Sequence, residues 1–269
     1  MATVAALLAV QSVSAATTPH RIISLSPTAT ESLFAIGAGK QVVAVDDQSD
    51  YPKRAPRTTL SGFTPNVEAI AAYRPDLVVV QYDSGDVVEA LHKLNIRVLV
   101  QPSAKNLTAA YGQIRQLGNI TAHKRAAAAL VTRMKKAIAR AVASTPHRRL
   151  AVYHELSPDY YSATSKTFIG RIYKLFGLRN IADAADSTGS GYPQLSAEYI
   201  LGANPSLIVL ADTRCCGQSV ASVSGRPGWS NVAAVRTRSV VAIDDSVASR
   251  WGPRVVQFVQ AVARVLRKR

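Results

Sequence analysis

The chain has 269 residues and a mass of 28.7 kDa, room for one large domain or two lobes of about 120 residues each. With 48% apolar and 18% charged residues it can build a sizeable core, and its two cysteines, Cys215 and Cys216, are adjacent, which excludes a multi-disulfide scaffold and a four-cysteine zinc site. Lys and Arg number 32 against 17 Asp and Glu, a net charge of +15, but the stretches HKRAAAALVTRMKKAIAR and RVLRKR where they concentrate interleave no aromatic rings, so the surplus reads as a solvated surface, or one drawn to anionic headgroups, and no nucleic-acid partner is expected.

Residues 1–16, MATVAALLAVQSVSAA, are uncharged, apolar and end in small residues, and Val13-Ser14-Ala15 fits a small-x-small cleavage pattern. They are expected to be a signal peptide whose positive n-region is missing; the alternative is a buried N-terminal helix. No cysteine stands at the cleavage point to carry a lipid. Export places the mature chain in the periplasm or on the outer face of the cytoplasmic membrane, where the vicinal cysteines either pair in a tight ring or stay as two thiols. No later apolar run reaches the ~18 residues of a spanning helix.

Apolar runs and helical patterns then alternate. Residues 21–25 read as a strand, and Ser26-Pro27-Thr28 opens a helix through Glu31, Leu33, Phe34 and Ile36 that Gly37 and Gly39 end. Strands follow at Val42 to Val45, Leu77 to Val80 and residues 98–100, the later two apolar throughout, as a parallel sheet covered on both faces requires. The class is α/β. Residues 66–80 can be laid over residues 196–210 at a constant offset of 130, with Glu, Ile, Pro, Leu and Val recurring in register. Each copy has a capping residue, a Glu in the first helical turn, a Pro stop and a buried strand. Helix-Pro-strand units are common in α/β folds, yet the shared register suggests two copies of one lobe.

Between the copies, residues 122–144 lack Pro and Gly and would span about 34 Å as a helix. Thr145-Pro146 stops it, and Leu150-Ala151-Val152-Tyr153 begins a second sheet. The expected organisation is an N-terminal lobe at 17–121, a connecting helix at 122–146 and a C-terminal lobe at 147–269: two Rossmann-like lobes with parallel sheets joined by one long backbone helix, with a cleft between them.

Motifs for catalysis fail individually. His154-Glu155 begins a zinc-protease pattern that Pro158 breaks; Gly37-Ala38-Gly39-Lys40 lacks phosphate-loop spacing; Gly217 to Ala221 imitates a nucleophile elbow without its last Gly. No Ser/His/Asp or paired-carboxylate set stands out, so no catalytic residue, metal site or cofactor is expected. Aromatic residues instead gather at the ends of strands or in loops: Tyr51, Phe63, Tyr82, then His154, Tyr160 and Tyr161, then Tyr192 in the Gly-rich GSGYPQ segment, then Arg250-Trp251. The ends of parallel strands converge on one crevice, and rings there suit a large flat ligand.

The stretch RIISLSPTATESLFAIGAGKQVVAVDDQSDYP resembles the N-terminal signature of the helical-backbone (cluster A, class III) substrate-binding proteins of bacterial ABC importers, which bind vitamin B12, ferric siderophores or haem. The likeness extends from Arg21 to about Leu266. SDYP at 49–52, YPQLSAE at 192–198 and SRWGPR at 249–254 are most similar to the vitamin B12 binders, although Tyr192 and Phe63 stand where those often have Trp. The resemblance implies two α/β lobes, no enzymatic activity, and a cleft lined by Tyr51, Phe63, Tyr82, Tyr192 and Arg250 that takes cobalamin or a related corrinoid, or alternatively a ferric siderophore or haem. His154, Tyr161 and Trp251 join that set by placement. The family also implies that Glu68 and Glu198, one per lobe, pair with arginines of a permease dimer coupled to its ATPase subunits, the binding protein itself being a monomer. The bland alternative for both Glu residues is helix-dipole complementation.

Overall fold

Short runs of Ile, Val and Leu cannot leave both faces in water, and in the computed structural model, which describes residues 17–268, they stack into two sheets covered by helices. The first half runs β1 (Ile22–Leu25), α1 (Pro27–Ala35), β2 (Val42–Val45), α2 (Val67–Ala71), β3 (Leu77–Val80), α3 (Val87–Lys93), β4 (Arg97–Val100) and α4 (Leu107–Ile120). After α5 (Lys124–Ala143) come β5 (Ala151–Glu155), α6 (Phe168–Lys174), β6 (Arg179–Asn180), α7 (Ala197–Ala203), β7 (Leu207–Leu210), α8 (Val220–Ser224), α9 (Ala233–Arg236), β8 (Val240–Ala242), α10 (Asp245–Ser249) and α11 (Val255–Arg267). The segment read as a signal peptide, residues 1–16, lies outside the described residues.

Both sheets are parallel throughout and have the same order, β2-β1-β3-β4 in one lobe and β6-β5-β7-β8 in the other. The 130-residue repeat is therefore structural: β3 and β7 hold the same place, and the helices before them start alike, with the Asn66 side chain accepting from the Ala69 N–H and the Ser196 side chain from the Tyr199 N–H.

One apolar core crosses from lobe to lobe. Ile22, Leu77 and Val79 of the first sheet and Val152, Leu207 and Val209 of the second share it with Val131, Met134 and Ile138 of α5 and Phe258 and Val262 of α11. Two smaller cores close the outer sheet faces, one around Ile23, Ile70, Val78 and Leu91, the other around Tyr153, Ile200, Ile208 and Trp229. The connecting helix has 20 residues, about 30 Å, and starts two residues later than its composition suggested. Ala122 takes a left-handed φ of 62°, and the His123 ring turns back to the Thr121 carbonyl at 2.7 Å, separating α4 from α5. A helix buried along one side in a core shared by both lobes restrains their relative motion.

The strand expected to end at Tyr153 continues to Glu155. That extension matters, because it carries His154 into the middle of the second sheet.

Candidate functional site

The loops that leave the carboxyl ends of the strands meet between the lobes. They enclose cavities of about 470, 460 and 560 Å³, each walled by residues of both lobes, within the range of small-molecule sites.

The floor between the lobes is ionic. Glu31, on α1, is buried; it accepts from Arg254 Nε at 3.0 Å and from Arg250 Nη1 at 3.1 Å. Arg250 also donates to Asp50 Oδ1 at 2.9 Å and to the Gln48 carbonyl at 2.9 Å. A buried carboxylate with two guanidiniums is stable only because its hydrogen bonds replace water, and losing either side would leave an uncompensated charge. The Tyr51 ring lies 4.3 Å over the Arg254 guanidinium, which gives this exposed ring a fixed seat. Further out, Asp50 Oδ2 meets Arg214 Nη1 at 2.8 Å, and the same Arg214 nitrogen lies 3.3 Å from Asp244. Burial pushes the Asp50 carboxyl up, but Arg250 and Arg214 hold it below its ordinary value.

Phe63 and Tyr82 face each other across 6.4 Å at the carboxyl end of β3. Gly62 lets that loop press on β1, since a Cβ there would meet the Leu25 carbonyl oxygen at 2.7 Å and Asp46 Oδ2 at 2.9 Å. The Asp46 carboxyl is pushed up to about 6, chiefly by burial. In the second lobe Tyr192 and Trp251 wall the 560 Å³ cavity, with the Trp251 indole N–H donating to Gln113 Oε1 at 2.9 Å. Tyr161 is exposed and bridges to Gln194. Tyr51, Phe63, Tyr82, Tyr161 and Tyr192 are between 38% and 66% exposed, unusual for five rings of one chain and available to a ligand. The walls of the three cavities contain Tyr51, Tyr192, Trp251 and Arg250, but not Phe63, Tyr82 or Tyr161.

Two expected site residues differ from the expectation, one in place and one in role. His154 is not in the cleft: it is fully buried, its Nδ1 lies 2.6 Å from the Tyr173 hydroxyl, and its ring sits against Phe258. Burial depresses it to about 3, so it is a neutral core residue. Arg250 reaches the cavity wall, yet its guanidinium is already shared among Glu31, Asp50 and Gln48, which makes it a tie between the lobes.

Sequence reasoning missed Glu31, Asp50, Arg214 and Arg254. The available signal was the one charged residue in the first helix and a second Arg in SRWGPR. It also missed a buried cluster at the ends of β5 and β7. Glu155 takes two bonds from Arg226, at 2.7 and 2.6 Å, and Arg226 lies against the rings of Tyr160 and Trp229 at 5.3 and 4.7 Å. Asp212 is buried beside them; burial first, then the Glu155 charge, raises its carboxyl to about 7. Tyr160 is thereby held in packing, stacked on Trp229 at 6.0 Å. The vicinal cysteines are joined as a disulfide on an exposed loop. Its backbone is pinned by Asp245, which accepts from the Arg214 and Cys215 N–H groups at 3.0 and 2.8 Å and from the Thr213 hydroxyl at 2.9 Å.

Glu68 and Glu198 are exposed in the first turns of α2 and α7. Hydrogen bonds from its own backbone N–H and from Ser196 lower the Glu198 carboxyl. Among the described residues no helix is long and apolar enough to cross a membrane.

A family model described as periplasmic binding protein matches residues 22–247. The chain is 32% identical over 255 residues to a cobalamin-binding protein of Halobacterium salinarum, covering 91% of this chain and 69% of that protein. It is 29% identical over 256 residues to an uncharacterized ABC transporter substrate-binding lipoprotein, YvrC, of Bacillus subtilis, covering 91% and 79%. Among solved structures, the periplasmic vitamin B12 binding protein BtuF of Vibrio cholerae superposes with a TM-score of 0.75 at 26% identity, covering 93% of this chain and 98% of that one.

Proposed function

Because this chain belongs to the periplasmic binding protein family, whose members are substrate-binding transport proteins and not enzymes, we propose that it is the exported subunit of an ABC importer that captures cobalamin or a related corrinoid between its lobes. The observation that carries the reading is the set of rings beyond the strands of both lobes: Tyr51, Tyr192 and Trp251 wall the inter-lobe cavities, and Phe63, Tyr82 and Tyr161 stand exposed outside those walls. Rings bring large apolar contact at low entropy cost, and a broad macrocycle offers the matching face. Relatives named for cobalamin and vitamin B12 binding support the choice of cargo. The shared core along α5 makes the cleft largely preformed, so affinity comes from contacts already in place and little is lost to closure.

Delivery uses the two lobes together. Glu68 and Glu198 sit on equivalent helices, and as a pair they suit a permease dimer with a basic residue on each subunit, in a periplasmic or outer-face setting and with the binding protein as a monomer. Such exposed pairing steers encounter more than it sets affinity. Replacing both by Ala should leave ligand binding unchanged and abolish uptake; normal uptake by that variant would remove them from the docking surface.

A ferric siderophore or haem is the second reading, favoured by the exposed Tyr161 phenol and by the cationic surplus; His154, being buried, lends it nothing. Isothermal titration of the purified mature chain with cyanocobalamin decides between them. A 1:1 isotherm in the nanomolar to low-micromolar range is expected. No heat with cyanocobalamin and a 1:1 isotherm with hemin or a ferric siderophore would replace the corrinoid by the iron ligand.

A further inference from the structure

Two of the three cavities share three residues. Asp50, Arg57 and Arg214 stand in the walls of both the 470 Å³ and the 460 Å³ cavity. The Asp50–Arg214 pair joins residues 164 positions apart, one from each lobe, at 2.8 Å. The pair therefore stands in the wall that the two cavities have in common. We propose that this pair is a removable partition: the two cavities are one ligand chamber, which opens when oxygen atoms on the rim of the ligand take the place of Asp50 on Arg214. This rests on the reading of the cleft as the cargo site and adds to it a positioning role for Arg214 and Arg57.

The ionic network is graded in a way that suits such a device. The Glu31, Arg250 and Arg254 side chains are 1%, 16% and 12% exposed, and parting them would strand charges away from water. The Arg214 side chain is 58% exposed, where an ion pair contributes little and water competes for both ends. Asp50 keeps a partner when Arg214 leaves, because its other oxygen stays on Arg250. The Arg214 backbone stays fixed as well, since Asp245 holds its N–H and that of Cys215. The guanidinium can therefore swing while the loop keeps its shape. Arg57 lines the same two cavities and forms no ion pair among the described residues, so a second guanidinium fork is ready at the same point. Planar forks of this kind recognise carboxylate oxygens in pairs and also donate to amide carbonyls. The ligand chemistry specified is a large ring or chelate with carbonyl or carboxylate oxygens on its edge, which describes the carboxamides of a corrinoid and the carboxylates of a haem alike.

The test has a ligand-free and a ligand-bound half, on the purified mature chain and its Arg214→Gln and Asp50→Asn variants. In hydrogen–deuterium exchange without ligand, both variants should exchange three- to tenfold faster than the parent in residues 48–58, with the strands at Leu77–Val80 and Leu207–Leu210 unchanged as the control for folding. In stopped-flow binding, cyanocobalamin and hemin serve as the amide-edged and carboxylate-edged probes. Arg214→Gln should bind whichever probe binds the parent, with faster association and at least tenfold faster dissociation. Raising NaCl from 50 to 500 mM should speed association of the parent and not of Arg214→Gln. Unchanged exchange in both variants, or association by Arg214→Gln no faster than by the parent, overturns the partition even where ligand binds well. Accelerated exchange with no binding of either probe by any form upholds the partition and overturns the cargo reading instead.

Discussion

The two lobes share a scaffold and differ where the scaffold ends. Position 82 follows β3 and position 212 follows β7, at the same offset of 130 that relates the strands themselves. The first lobe puts Tyr82 there, exposed and facing Phe63; the second puts Asp212 there, buried beside Glu155 and Arg226. The central strands diverge likewise. β1 leads into a hydroxyl network in which Thr30 Oγ1 lies 2.8 Å from Ser24 and 2.9 Å from Ser49, whereas β5 ends in a buried His and a buried Glu. A repeated unit fixes strand order and helix entry because those depend on apolar pattern and caps. The residue just past the strand is free of that constraint, and each lobe fills it differently: an exposed ring in the first, a buried carboxyl in a charge cluster in the second.

The sharpest way to break the comparison is through the two buried glutamates. Glu31 ties the lobes together, while Glu155 is satisfied inside one lobe by Arg226. Glu31→Gln and Glu155→Gln should each destabilise by about 3–5 kcal/mol, because each leaves buried guanidinium charge unmatched. Only Glu31→Gln should also uncouple the lobes, so that far-UV circular dichroism and Trp fluorescence trace separate urea transitions. Coincident transitions in both variants would show that the apolar core along α5 alone keeps the lobes cooperative.

Ligand contact comes next in size. Tyr192→Ala should weaken binding by about 1–3 kcal/mol, the scale of stacking on an aromatic ring, and Tyr82→Ala in the other lobe by a similar amount if both lobes grip one ligand. An unchanged dissociation constant for either variant would assign the site to the other lobe. His154→Leu should leave binding unchanged.

The buried ionisable groups set the pH behaviour, and their signs oppose. His154 is held neutral, with its folded value near 3 against about 6.5 when unfolded, so the unfolded chain takes up more protons and stability falls as pH drops below about 6.5. Asp212 is raised to about 7 from about 3.9, so the folded chain holds the extra proton, and stability falls as pH rises from about 4 through 7. Asp212→Asn keeps the group neutral at every pH. It should match the parent near pH 3.5 and exceed it at pH 8, the gap opening between about pH 4 and 7, read from chemical denaturation at the two pH values. Equal gains at both would mean that Asp212 is ionised throughout.

How much of this was legible in the sequence follows from the range of the interactions. Strands such as Leu77–Val80 and Leu207–Leu210 announce themselves because continuous apolar runs admit few alternatives, and the repeat exposed the two-lobed plan. The exposed rings were legible as a set, since they fall at strand ends or in the loops between elements. The exact reach of β5 was not, because Tyr-His-Glu at 153–155 looks like the start of a loop, and its burial depends on Tyr173, Phe258 and Arg226, which come from 19 to 104 residues away. The lobe-spanning ions were invisible for the same reason: Glu31 meets Arg254 across 223 positions, and no local pattern marks such a pair.

The smallest effect tests whether the repeat is an energetic equivalence or only a topological one. Asn66 and Ser196 cap the helices that present Glu68 and Glu198, with cap distances of 2.7 and 3.1 Å. Asn66→Ala and Ser196→Ala should each destabilise by about 1 kcal/mol, and the two lie in separate lobes without shared partners, so their effects should add in the double variant. Both helices are short, five and seven residues, and rely on their first turn for much of their order. Losing the cap should therefore also loosen the Glu that follows two residues later. Equal, additive losses in denaturation with reduced uptake in each single variant would tie the repeat to docking through both lobes. A loss of uptake confined to one variant would show that the lobes, alike in construction, have divided the work of docking as they have divided the cleft.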